Sequence, residues 1–172
     1  AIASFGVEKA IAPLWTEIMS PELQRHYPYA WAALFAAWTV ALAASLGALF
    51  IGEIMGQYPC ELCWFQRVFM FPLAIILGIA AFRSDRGVTP YALTLAGAGW
   101  VVSFYHALLY FGFAPEKIQP CGSGPSCSDS AMTLFGSVPI PLLSLSAFTA
   151  ITFFLALVFR RTRSCIDVLE LY

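Results

Sequence analysis

Four stretches of this chain are almost free of charge, and each is long enough to cross a hydrocarbon core, which takes about 20 apolar residues. They run from about Ala30 to Ile51, Trp64 to Phe82, Tyr91 to Phe113 and Pro139 to Phe159, and Arg67 is the one formally charged residue in them. Hydrophobic residues make up 60% of the chain and charged residues 11%, against about 25% charged for an average soluble domain. A chain of 172 residues cannot hide that much apolar surface from water in a core of its own. Lipid offers no partner for free backbone groups, so each stretch is expected to be helical. Small residues recur in them (Ala43, Ala44, Ser45, Gly47; Ala96, Gly97, Ala98, Gly99) and permit close helix contact. The fold class is therefore an all-α membrane protein, a four-transmembrane-helix bundle. A net charge of −1 lacks the basic footprint that nucleic acid requires, so the lipid bilayer is an expected partner and nucleic acid is not.

Lys and Arg placement sets the orientation. Lys9 and Arg25 precede the first span, Arg83 and Arg86 lie between the second and third, and Arg160, Arg161 and Arg163 follow the fourth. The connection before Cys63 has no basic residue, and the one before the fourth span has only Lys117. By the positive-inside rule both termini are expected in the cytoplasm. Residues 30–161 form the membrane domain and 162–172 a cytoplasmic tail. Residues 1–29 form an N-terminal segment in which Ile2, Phe5, Lys9, Ala12, Trp15, Ile18 and Met19 have the spacing of an amphipathic surface helix.

The polar breaks on the outer side hold four of the five cysteines. Cys60-Glu61-Leu62-Cys63 opens the second span; Cys121 and Cys127 lie in a Gly/Ser/Pro segment before the fourth. Outside the cytoplasm disulfides persist, whereas Cys165, beyond three arginines, falls on the reducing side. Two dithiol pairs at a membrane surface suit electron movement between a soluble thiol partner and an acceptor in the bilayer. A lone Cys-x2-Cys is a weak signal, shared by zinc, thioredoxin-like and haem sites. Trp64 occupies the place where haem attachment needs His. A structural zinc held by all four thiolates and a stapling disulfide remain as alternatives.

Spacings of three and four place Cys60, Cys63 and Arg67 on one helical face. The helix N-terminus and the guanidinium favour a thiolate there, and burial opposes it. Arg67 lies roughly 6 Å down the helix at a rise of about 1.5 Å per residue. A charge at that depth is costly and marks function, unless it merely snorkels to the headgroups. His106, on the third span, falls at a similar depth. An imidazole facing a guanidinium there suits the carbonyl oxygens of a quinone; an ordinary packing role for the histidine is the bland reading. Gln66 and Tyr105 are weaker candidates. The Cys121–Cys127 loop has little drive to fold alone, so a disulfide in it is open to attack by an external thiolate.

Pro59-Cys60-Glu61-Leu62-Cys63-Trp64-Phe65-Gln66-Arg67 resembles the Pro-Cys-x-x-Cys-x-x-x-Arg element of the DsbB family of membrane disulfide-forming proteins. The short loop from Pro120-Cys121 to Cys127, followed by Val138-Pro139-Ile140-Pro141-Leu142-Leu143-Ser144-Leu145, resembles the BdbC-like branch. The resemblance covers roughly Trp31 to Arg161. Gln66 stands where some members carry a carboxylate. The resemblance implies a protein-disulfide:quinone oxidoreductase that re-oxidises a DsbA-like thioredoxin-fold thiol oxidase and passes two electrons to ubiquinone or menaquinone from the membrane quinone pool of the bacterial inner membrane. On this pattern Cys121–Cys127 is attacked by the partner, at Cys121, and Cys127 then attacks Cys60. Cys63 leaves as a thiolate beside Arg67, and His106 helps to hold the quinone. No resident metal is implied. A vitamin-K-epoxide-reductase-like enzyme is the redox alternative, but it places its Cys-x2-Cys near a later helix.

Overall fold

A computed structural model describes residues 21–113, 133–134 and 138–170, with side chains for 29–113, 133 and 139–162. Four long helices account for most of it: α1 Pro21–Leu49, extended by a π-helical turn Phe50–Ile54; α2 Glu61–Arg83; α3 Thr89–Tyr110; and α4 Ile140–Glu170. Each contains a stretch long and apolar enough to span a membrane, namely Tyr29–Ile54, Glu61–Arg83, Thr89–Tyr110 and Ile140–Thr162. The third ends short of the expected Phe113 because the chain leaves the helix at Phe111 and Gly112 takes a positive φ of 75°. Two residues on each side, β1 Thr133–Leu134 and β2 Val138–Pro139, pair antiparallel just before α4.

Each helix packs on its sequence neighbour, and α4 closes the ring against α1. A three-four spacing of inward residues explains this arrangement, since such residues line one side of a helix. On α1 these are Leu34, Ala37, Ala41 and Ser45; on α4, Phe148, Ile151, Leu155 and Val158. On α3 the stripe runs Thr89, Ala92, Ala96, Gly99, Ser103, His106, and on α2 Gln66, Met70, Leu73, Leu77, Ala80 and Ala81. Alanine and glycine recur in the seams of α1, α2 and α3, so backbones approach closely there, where lipid supplies no hydrophobic force between helices. At Gly99 a Cβ would lie 2.2 Å from Phe148 Cε1, so the ring needs the bare backbone.

The outward surface matches a bilayer. Val68, Ile75, Ile79, Val101, Phe153 and Leu157 are exposed along the spans, while aromatics stand exposed at both ends: Tyr29, Trp31, Phe82 and Tyr91 at one, Tyr58, Trp64, Phe111 and Phe113 at the other. Such belts mark membrane interfaces. Several hydroxyls inside the spans bond back to their own helix, as Thr39 Oγ1 does to the Phe35 carbonyl and Ser45 Oγ to that of Ala41, which satisfies them without water. The Trp31 indole donates to the Ala81 carbonyl at 3.0 Å, fixing the start of α1 against the end of α2. Arg83, Arg86, Arg160 and Arg161 therefore share one end of the bundle, and Cys60 and Cys63 occupy the other.

Candidate active site

Cys60 is the N-cap of α2, with extended backbone (φ −71°, ψ 169°), and Cys63 stands on the first turn. The Trp64 N–H donates to the Cys60 carbonyl at 3.1 Å, which starts the helix. One turn of helix brings the two sulfurs within 3.0 Å of each other. Their surroundings differ. Cys60 is 1% exposed and points into the bundle, whereas Cys63 is only half-buried. The pair thus has one inner and one outer sulfur.

The inner sulfur meets α3. His106, fully buried, brings Nε2 to 3.8 Å from Cys60 Sγ, and Gln66 Nε2 lies 3.0 Å from His106 Nδ1. An amide nitrogen only donates, so in this arrangement Nδ1 accepts and the imidazole proton sits on Nε2, facing the Cys60 sulfur. Gln66 thereby holds the ring in place, and its amide can serve either tautomer, through its nitrogen to a bare Nδ1 or through its oxygen to Nδ1–H. Both residues belong to the inward stripes of their helices, which is why they meet. Ser103, on the same stripe as His106, is fully buried, and among the described residues its hydroxyl has no hydrogen-bond partner.

Arg67 is one residue further round α2 and turns toward α1. Its Nη2 donates to the Ala48 carbonyl at 2.8 Å, and its Cζ lies 5.5 Å from the centroid of the Trp64 ring. The guanidinium also fills the space over Gly52, where a Cβ would lie 2.9 Å from Nη2. These contacts fall at the junction between the α-helical part of α1 and its π turn. A hydrogen bond to the backbone of a neighbouring span is more than snorkelling requires, and it fixes Arg67 one turn below Cys63. Four further N–H donors remain on a guanidinium after one such bond.

The structure therefore brings Cys60, Cys63 and His106 together and holds Arg67, one turn further along α2, against α1. Cys121 and Cys127 lie outside the described residues, and so does the side chain of Cys165. Gln66, a weak candidate from sequence, is the residue that connects α2 to the histidine. Its signal was its place on the stripe that continues through Met70, Leu73 and Leu77.

Residues 29–160 match the family model described as disulfide bond formation protein DsbB. The chain belongs to the DsbB family. It is 56% identical over 133 residues to a probable disulfide formation protein of Metapseudomonas resinovorans, covering 77% of this chain and 92% of that one. It is 45% identical over 124 residues to disulfide bond formation protein C of Bacillus subtilis, covering 72% and 90%. A probable disulfide formation protein of Coxiella burnetii is 44% identical over 130 residues, covering 74% and 87%. No solved structure matches the chain. This DsbB-family member is a multi-pass membrane oxidoreductase of disulfide bond formation, and its chemistry is thiol–disulfide exchange with a protein partner.

Proposed function

We propose that this protein is a quinone-dependent thiol oxidase that re-oxidises a DsbA-like thioredoxin-fold partner. The supporting observation is the gathering, at one end of four spans, of the close Cys60 and Cys63 sulfurs with His106 against Cys60, one helical turn from an Arg67 bonded to the neighbouring span. The partner's thiolate attacks Cys121 of the Cys121–Cys127 disulfide, and resolution within the partner releases its disulfide and a reduced Cys121/Cys127 pair. Cys127 then attacks Cys60 of a Cys60–Cys63 disulfide, Cys63 departs as a thiolate, and Cys121 attacks Cys127 of the resulting Cys127–Cys60 bond, which re-forms Cys121–Cys127 and releases Cys60. Two electrons and two protons must leave the reduced Cys60/Cys63 pair before it can serve again.

Ubiquinone or menaquinone supplies that oxidising chemistry when bound, becoming the quinol. The residues fit such a group. Cys63 is the half-buried sulfur, Arg67 has N–H donors suited to a carbonyl oxygen, and Trp64 and Phe65 are exposed on the same stretch of α2. His106 holds the sulfur-bearing end, with its Nε2–H directed at Cys60. Both cysteine pairs face the outer side of a bacterial inner membrane, and both termini face the cytoplasm.

Purified protein in detergent, mixed with a reduced thioredoxin-fold oxidase and a soluble quinone, tests the reading. Partner oxidation should depend on the quinone and should vanish in Cys63→Ser while the helical content stays at the parent's level. Full turnover by Cys63→Ser would refute the relay. Arg67→Met should raise the KM for quinone or slow its reduction; unchanged kinetics would leave Arg67 with an anchoring role only.

A further inference from the structure

We propose that the reduced site is also a soft-cation site, in which the Cys60 and Cys63 thiolates and His106 Nε2 bind zinc or cadmium and so block turnover. The proposal rests on reading Cys60/Cys63 as a redox pair. Among the described residues these three form a cluster able to ligate a metal, with their ligand atoms all within 4.8 Å of one another. Tetrahedral zinc, with Zn–S about 2.3 Å and Zn–N about 2.0–2.1 Å, sets S···S near roughly 3.8 Å and S···N near roughly 3.6 Å. Cys60 Sγ and His106 Nε2 already stand 3.8 Å apart. The sulfurs, at 3.0 Å, must open slightly, and of the two Cys63 is the less buried. Thiolate and imidazole are the ligands that a soft or borderline cation selects.

Gln66 completes the case. A ligating histidine needs its other ring nitrogen held by a partner. Turning the Gln66 amide by half a turn puts its oxygen where the nitrogen now is, 3.0 Å from Nδ1. The oxygen then accepts Nδ1–H, and Nε2 is left with a lone pair for the metal. A single side chain thus serves the metal-free tautomer and the metal-bound one. Three protein ligands leave one position for water or an outer donor. Binding exchanges two thiol protons for one divalent cation with no change of oxidation state. The disulfide form offers no thiolate, so only the electron-loaded enzyme is captured, and the bound sulfurs are withheld from oxidation.

The test uses the full chain carrying C121S, C127S and C165S, so that no other thiol competes. Reduced, freed of reductant and kept anaerobic, it is titrated with Co2+, whose thiolate charge-transfer and d–d bands report the ligand set. About one equivalent should bind and be displaced by Zn2+, and the same protein oxidised to the Cys60–Cys63 disulfide should bind none. Cys63→Ser should abolish the charge-transfer bands, and Gln66→Leu should weaken binding by about 10- to 100-fold. Absence of Co2+ bands in the reduced protein would overturn the site, as would equal affinity after His106→Ala. The metal-free protein is assayed in parallel for oxidation of Cys60/Cys63 by quinone. Oxidation without metal binding removes the cation site alone; metal binding without oxidation removes the function proposed above and leaves the cation site standing.

Discussion

Gln66 and His106 are forty residues apart in sequence, and each alone is an uninformative polar group in an apolar helix. Together they set the imidazole Nε2 against the Cys60 sulfur. Replacing Gln66 by Leu removes a buried hydrogen bond to Nδ1, which costs about 1–3 kcal/mol. The Gln66→Leu protein should melt earlier in detergent and oxidise its partner more slowly, with the loss mainly in kcat and little change in the KM for quinone. A loss confined to KM would put Gln66 in contact with the quinone instead. Gln66→Glu, which can accept Nδ1–H, should retain more stability than Gln66→Leu. The cysteines were legible in the sequence because Cys60 and Cys63 open a span at a polar break, directly above an arginine in that span. Arg67 was legible because a charge inside a span stands out. The partner of His106 was not, since nothing local tells an inward amide from one facing lipid; only the continuing stripe on α2 does.

The four spans could be read closely, with ends displaced by a few residues at most, because hydrocarbon thickness and backbone satisfaction leave a chain few choices. The π turn at Phe50–Ile54 and the short β1–β2 ladder could not. Each depends on contacts made after the helices have packed, and the π turn lies where Arg67 of α2 reaches the α1 backbone. Two glycines separate packing from positioning. Gly99→Ala pushes a methyl group into the Phe148 ring, deep between α3 and α4. Overpacking of this kind costs about 1–3 kcal/mol, so its melting temperature should fall while any folded fraction keeps the parent's KM for quinone. Gly52→Ala meets only the far end of a flexible arginine, at 2.9 Å. Its melting temperature should stay close to the parent's, and the KM for quinone should rise toward that of Arg67→Met. If Gly52→Ala instead loses stability and keeps its kinetics, the close approach serves packing and not the guanidinium's position.

At the scale of the whole molecule, charge and chemistry divide between the two ends of one bundle. Arg83 and Arg86 join α2 to α3, and Arg160 and Arg161 lie near the end of the fourth span, so the ring of helices gathers four cations at one end. Cys60, Cys63 and the β1–β2 ladder lie at the other. Basic residues are retained on the cytoplasmic side, so the dithiol should face outward, where thiols of exported proteins become disulfides. This orientation follows from sequence and connectivity together: the sequence supplies the charges, and the closed ring shows that charges from distant segments share an end. Single cysteines in a cysteine-free background give the measurement. Tyr58→Cys, at a position 84% exposed between α1 and α2, should react with a membrane-impermeant maleimide in intact spheroplasts. Asp85→Cys, exposed in the α2–α3 turn, should react only after the membrane is opened. The reverse pattern would put the dithiol on the reducing side, where a cytoplasmic thiol pool would hold it reduced and the proposed relay could not supply disulfides to exported proteins.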